Sequence, residues 1–100
     1  MRRGTTPTNI FKTKDISLVE ASVLFVTYQQ NGETIFEKTI EDCEITEEDV
    51  TVHLTQEETL ALSNTQLVQI QIRVGFPDGS RLASNVVKAP AGKILKDGTI

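Results

Sequence analysis

A chain of 100 residues, 38% hydrophobic and 24% charged, is long enough for one domain with a modest core. Its 14 acids against 10 bases leave a net charge of −4, which argues against a general nucleic-acid binder. A single cysteine cannot form an intramolecular disulfide, and the absence of tryptophan makes the core rest on Val, Ile and Leu, which favours strands.

Residues 1–7, MRRGTTP, read as an extended N-terminal arm, because Gly4 and Pro7 punctuate it and nothing apolar anchors it. No apolar targeting segment follows Arg2-Arg3 and no run approaches a membrane span, so the chain is expected to be soluble and cytoplasmic, with no membrane contact. TNIFKT (8–13) is a short strand candidate, and DISLVEA (15–21) a turn or single helical turn. In SVLFVTYQQ (22–30), Val23, Phe25 and Thr27 face one side and Leu24, Val26 and Tyr28 the other. Apolar residues on both faces predict a central strand, covered on both sides or covered on one and partnered on the other.

Asn31-Gly32 then predicts a type I′ hairpin, since that turn needs positive φ at both central residues. TIFEKTI (34–40) returns antiparallel, with Gln29, Gln30, Glu33 and Thr34 as a polar tip. After an acidic stretch, VTVHLT (50–55) turns Val50, Val52 and Leu54 inward and Thr51 and His53 outward. TQEETLALS follows as a short helix, with Thr55 as N-cap, Glu58 closing a capping box and Asn64 available to end it in the left-handed conformation. Leu60 and Leu62 would tuck it against the sheets.

VQIQIRVGF (68–76) alternates an apolar row, Val68, Ile70, Ile72, Val74 and Phe76, with a wet row, Gln69, Gln71 and Arg73. Pro77-Asp78-Gly79-Ser80 is a turn, and RLASNVV (81–87) returns with Leu82, Ser84 and Val86 on one face. Residues 89–100 read as a C-terminal arm in which Ile94 and Leu95 could dock and Lys96-Asp97-Gly98 turns. Two hairpins, further strands and one short helix predict an all-β fold, an antiparallel immunoglobulin-like β-sandwich over residues 8–88, with a small barrel as the alternative.

Charge is distributed unevenly. Residues 1–14 carry Arg2, Arg3, Lys12 and Lys14 and no acid; residues 41–58 carry eight acids and no base; residues 81–100 carry Arg81, Lys88, Lys93 and Lys96 against Asp97. Such a layout could let copies attract head to tail, or be ordinary solvated surface.

The pattern offers no catalytic constellation. His53 is the sole histidine and lies on an outward strand face, so any triad must pass through it. One His and one Cys cannot supply a zinc site, and the Glu44, Glu47, Glu48 and Asp49 group lacks the spacing of a calcium loop. Cys43 sits among Glu41, Asp42 and Glu44, which disfavour a thiolate. No phosphate-cradling glycine loop occurs. We therefore expect no enzyme activity, no cofactor, no metal and no nucleic acid.

Taken together, RRGTTPTNIF, VTYQQNGETIFEK, LTQEETLAL, IQIRVGFPDGSRLASN and KILKDGTI resemble, in this order and over the whole chain, small phage- and prophage-encoded structural proteins of Gram-positive bacteria. Gly4-Thr5-Thr6-Pro7-Thr8 is also similar to the opening of the N-terminal domain of phage baseplate upper proteins. The resemblance implies a tail, baseplate or connector component, repeated by symmetry as a homo-oligomer, with other phage structural proteins as partners. It would be made in the bacterial host cytoplasm and then enter the virion. The alternatives are an assembly factor that stays outside the particle, or a carbohydrate- or host-surface-binding module. Contact residues are then expected on the two arms, Arg2, Arg3, Lys93 and Lys96, and on the outward row, Gln69, Gln71 and Arg73.

Overall fold

A computed structural model describes residues 1–14 and 16–100. The chain runs through β1 (Thr8–Lys12), β2 (Val23–Gln30), β3 (Glu33–Thr39), a 3₁₀ corner (Ile40–Asp42), β4 (Cys43–Ile45), β5 (Asp49–His53), α1 (Gln56–Leu60), β6 (Val68–Gly75), β7 (Arg81–Ala83) and β8 (Val87–Ala89). These strands make two antiparallel sheets, a three-stranded one in the order β1-β5-β4 and a five-stranded one in the order β3-β2-β6-β7, with β8 also paired to β6. The two sheets pack as the β-sandwich that the sequence predicts.

Period-2 patterning accounts for the core. Leu24, Val26 and Tyr28 of β2 and Val68, Ile70, Ile72 and Val74 of β6 meet Val50 and Val52 of β5, all buried. Tyr28 crosses between the sheets: its hydroxyl donates to Asn9 Oδ1 at 2.7 Å, and its ring stacks on Phe36 at 4.4 Å. β2 is central, between β3 and β6, yet only one of its faces is covered, since Phe25 on the other is 38% exposed. Its apolar residues on both faces reflect strand propensity rather than a second core.

The Asn31-Gly32 turn has positive φ at both residues, 51° and 80°, as the hairpin requires. Its tip is less polar in function than expected. Gln30 is buried, accepts from Ser63 N at 2.8 Å, and donates to Ser63 O and Gln66 O at 2.7 and 3.1 Å, pinning the loop after α1. The capping box at α1 is present, with Glu58 N donating to Thr55 Oγ1 at 3.1 Å and Thr55 N to Glu58 Oε1 at 2.8 Å. The helix ends earlier than the pattern suggested. Ala61 is its C-cap in the right-handed region, and Asn64 does not take the left-handed conformation. Thr59 and Leu62, more than Leu60, are the buried contacts.

Two further expectations need correction. The acidic stretch contains a strand, β4, whose pairing with β5 outweighs its poor local propensity. RLASNVV is also not one strand. Arg73 pairs with Ala83 but Ile70 with Val87, so one extra residue is inserted near Ser84. Ser84 N donates to Ile72 O at 2.8 Å, and Ile72 N donates to Ser84 Oγ at 2.9 Å. The slip reverses the alternation, so Val87 rather than Val86 joins the face shared by Ile70 and Leu82.

The terminal segments, expected as outward-reaching arms, lie on the body and on each other. Arg3 N donates to Gly92 O at 3.0 Å and Gly92 N to Met1 O at 2.7 Å, forming a parallel bridge between Arg2 and Gly92. Thr59 Oγ1 donates to Thr5 O at 2.8 Å and accepts from Thr5 N at 3.1 Å, clamping this segment to α1. A Cβ on Gly4, whose φ is +72°, would stand 2.8 Å from Ile94 Cδ1, so Ile94 docks here, whereas Leu95 is 95% exposed. Of the 15–21 segment, Asp15 lies outside the described residues, while Leu18 is buried in the core.

Candidate docking site

The two sides of the sandwich are built differently. On one, β3 leads straight into β4 through the three-residue 3₁₀ corner, so the chain itself joins the sheets. Thr39 N donates to Asp42 Oδ2 at 2.9 Å to hold the corner, and this bond keeps the Asp42 carboxyl below the usual range. Lys38, buried on the inward face of β3, makes an ion pair with Glu58 Oε1 at 2.7 Å. That oxygen also caps α1, so one carboxylate ties the helix to this closed side.

The other side has no crossing strand or corner. Its borders are β1 in one sheet and β7 with β8 in the other, and the outer edges of all three lack a strand partner among the described residues. Between them lies a groove of about 670 Å³. Ile70, Ile72, Val74 and Leu18 of the core form part of its lining, and Leu82, Val87 and Ile16 line it while remaining 39%, 48% and 48% exposed, whereas Ile10, paired with Thr51 on the outward face of the three-stranded sheet, stands on its rim at 57%. Burying an aliphatic side chain fully is worth about 1.5–3 kcal/mol, so each of these leaves roughly 1 kcal/mol unrealised. Among the described residues its lining includes Lys12 and Lys14 and no acid. Lys12 Nζ lies 3.4 Å from Asp49 Oδ2, with its own side chain 74% exposed.

The residues expected to make contacts fall into two groups, neither of them at the groove. Gln69, Gln71 and Arg73 lie on the outward face of the five-stranded sheet, where Gln71 Nε2 donates to Ser84 O at 2.9 Å. Arg2 and Arg3 are engaged internally: Arg2 Nη1 donates to Lys93 O at 2.6 Å, and Arg3 Nη2 donates to Leu60 O at 2.8 Å and reaches Asp97 at 3.4 Å. The Lys93 and Lys96 side chains are exposed on the C-terminal segment. The groove escaped sequence reading because β1 and β7/β8 are distant in the chain. The one local signal was the exposed aliphatics Ile10 and Leu82 on short strands beside free edges.

His53 stands on the water-facing side of the three-stranded sheet, with Thr8 Oγ1 2.9 Å from Nδ1 and Glu44 Oε1 3.5 Å from Nε2. The row has the types of a hydroxyl–imidazole–carboxylate set. Its imidazole and carboxylate side chains are 59% and 75% exposed, however, where water screens the pair. Burial first and then Asp42 push the Cys43 thiol up, which keeps it protonated near neutrality. No group of three or more His, Cys, Asp or Glu residues is placed to hold a metal ion among the described residues, and no helix there is long and apolar enough to cross a membrane. Comparison with protein-family models, with curated proteins and with solved structures finds no match to this chain.

Proposed function

We propose that this chain is a non-enzymatic structural or adaptor module acting through protein–protein contacts, a component of a phage particle in its tail, baseplate or connector region. The observation that carries the contact role is the open side: an apolar groove flanked by two unpaired strand edges. An edge offers main-chain N–H and C=O groups to a partner strand, and the half-exposed aliphatics offer apolar area in the same place. The particle setting rests on the whole-chain resemblance to phage structural proteins.

A carbohydrate-binding role is less well supported, because it needs an exposed aromatic platform and the sole tyrosine, Tyr28, is fully buried. Quantitative mass spectrometry of purified particles for the tryptic peptide Leu82–Lys88, LASNVVK, tests the reading. A fixed ratio to the major structural proteins is expected. Abundance in the lysate with absence from particles would replace this reading with that of an assembly factor.

A further inference from the structure

We propose that the open side of one copy receives the closed side of a second copy, so that copies join head to tail; the inference rests on the reading of the chain as an assembly component. Strand order places the two sides opposite one another in both sheets, β1 against β4 in one and β7/β8 against β3 in the other. A second copy set alongside in the same orientation brings its β4 beside β1 and its β3 beside β7/β8. Both sheets are then extended at once, the first by a parallel pairing and the second by an antiparallel one.

Charge selects this partner. The rims of the groove carry Lys12 and Lys14 on one border and Arg81 and Lys88 on the other, with Lys12, Arg81 and Lys88 on the outward faces of their sheets. The closed side presents Glu33 and Glu37 on β3, Glu41 and Asp42 at the corner and Glu44 on β4, all exposed. Its one base, Lys38, is turned inward onto Glu58. Acidic ridge against basic groove is therefore complementary. Groove against groove would oppose Lys12, Lys14, Arg81 and Lys88 to their own copies. The half-buried Ile40 at the ridge's apex gives the groove's aliphatics an apolar contact between the acids. A contact between two different patches is heterologous, so it closes into a ring or runs on as a filament.

Two half-blocked variants test this in sedimentation velocity with the purified chain. One, Leu82→Glu with Val87→Glu, blocks the groove; the other, Glu41→Lys with Glu44→Lys, reverses the ridge. All four positions are exposed, and matching circular-dichroism melts check that folding is intact; Leu82→Thr with Val87→Thr replaces the first variant if it does not fold. The wild type should self-associate with rising concentration, about tenfold or more weakly at high salt. Each variant alone should be monomeric, weakened by at least about a hundredfold. Mixed, they should associate again, because each keeps one working side. Dimerisation of the ridge variant alone would overturn the proposal in favour of a groove-to-groove contact. A wild type that stays monomeric at low salt and high concentration would overturn it too, while leaving a role in particles intact if LASNVVK is found there.

Discussion

The closed and open sides of the sandwich use similar residues to opposite ends. On the closed side, Val26 of β2 pairs with Lys38 of β3, the chain turns through Ile40–Asp42, and β4 continues in the second sheet. A covalent crossing so short leaves no room for a gap. On the open side, Phe11 and Leu82 sit on strands more than seventy residues apart in sequence, and their borders are joined by loops and by the bonds of Met1 and Arg3 to Gly92 rather than by a corner. The aliphatic content is comparable, but what differs is connectivity. Sheet closure by a corner buries its apolar residues, and separate strands leave theirs available to another protein.

The largest test of this contrast is at the joint between the sheets. Tyr28→Ala removes a fully buried ring, its stacking on Phe36 and its bond to Asn9, and should cost about 4 kcal/mol in urea unfolding. A cost near that of an exposed site would mean that the sheets do not pack through Tyr28. On the closed side, Lys38→Ala leaves Glu58 without its cation and should cost about 2 kcal/mol, whereas Lys38→Met should lose less by keeping the packing. On the open side, Ser84→Ala removes the acceptor for Ile72 N and should cost about 1 kcal/mol by the same measurement. Val87→Thr, at a half-exposed groove position, should change stability by no more than about 0.5 kcal/mol. A large loss there would mean that the groove is closed in solution.

Acid provides a graded version of the same comparison. The carboxyls of Asp42, Asp49 and Asp78 are held below their usual range, chiefly by bonds from Thr39 N, the Thr46 hydroxyl and the Ser80 hydroxyl. A carboxylate whose folded pKa lies below its unfolded one stabilises fully above the unfolded value, about 4, and loses that contribution as pH falls through the folded value. The melting temperature should therefore decline below about pH 4. Asp42→Asn should be less stable near neutrality and show a shallower acid decline, since it removes the ionised acceptor that braces the closed corner.

Much of the sandwich was legible in the residues. The Asn31-Gly32 hairpin, the Thr55–Glu58 capping box and the alternating rows of β5 and β6 each depend on short-range geometry that sequence spacing records directly. The exceptions share a cause. β4, the insertion at Ser84 and the burial of Gln30 and Lys38 are set by partners far along the chain: β5, Ile72, the loop at Ser63–Gln66 and Glu58. The terminal segments misled for the same reason, since Gly4 and Pro7 punctuate the chain locally while Thr59 and Gly92 hold it from a distance. The groove is the extreme case, because a space between two distant strands leaves no signature in either beyond the exposed aliphatics beside their free edges.

Hydroxyl-radical footprinting, comparing the isolated chain with the chain in purified particles, tests most directly whether the open side is the contact face. Leu82 and Val87 line the groove, and Phe25 lies exposed on the outward face of the five-stranded sheet, so each face carries its own reporter. The account predicts that labelling of Leu82 and Val87 falls in the particle while Phe25 stays unchanged. Protection of Phe25 with the groove residues still labelled would contradict it, and would move the contact to the row of Gln69, Gln71 and Arg73.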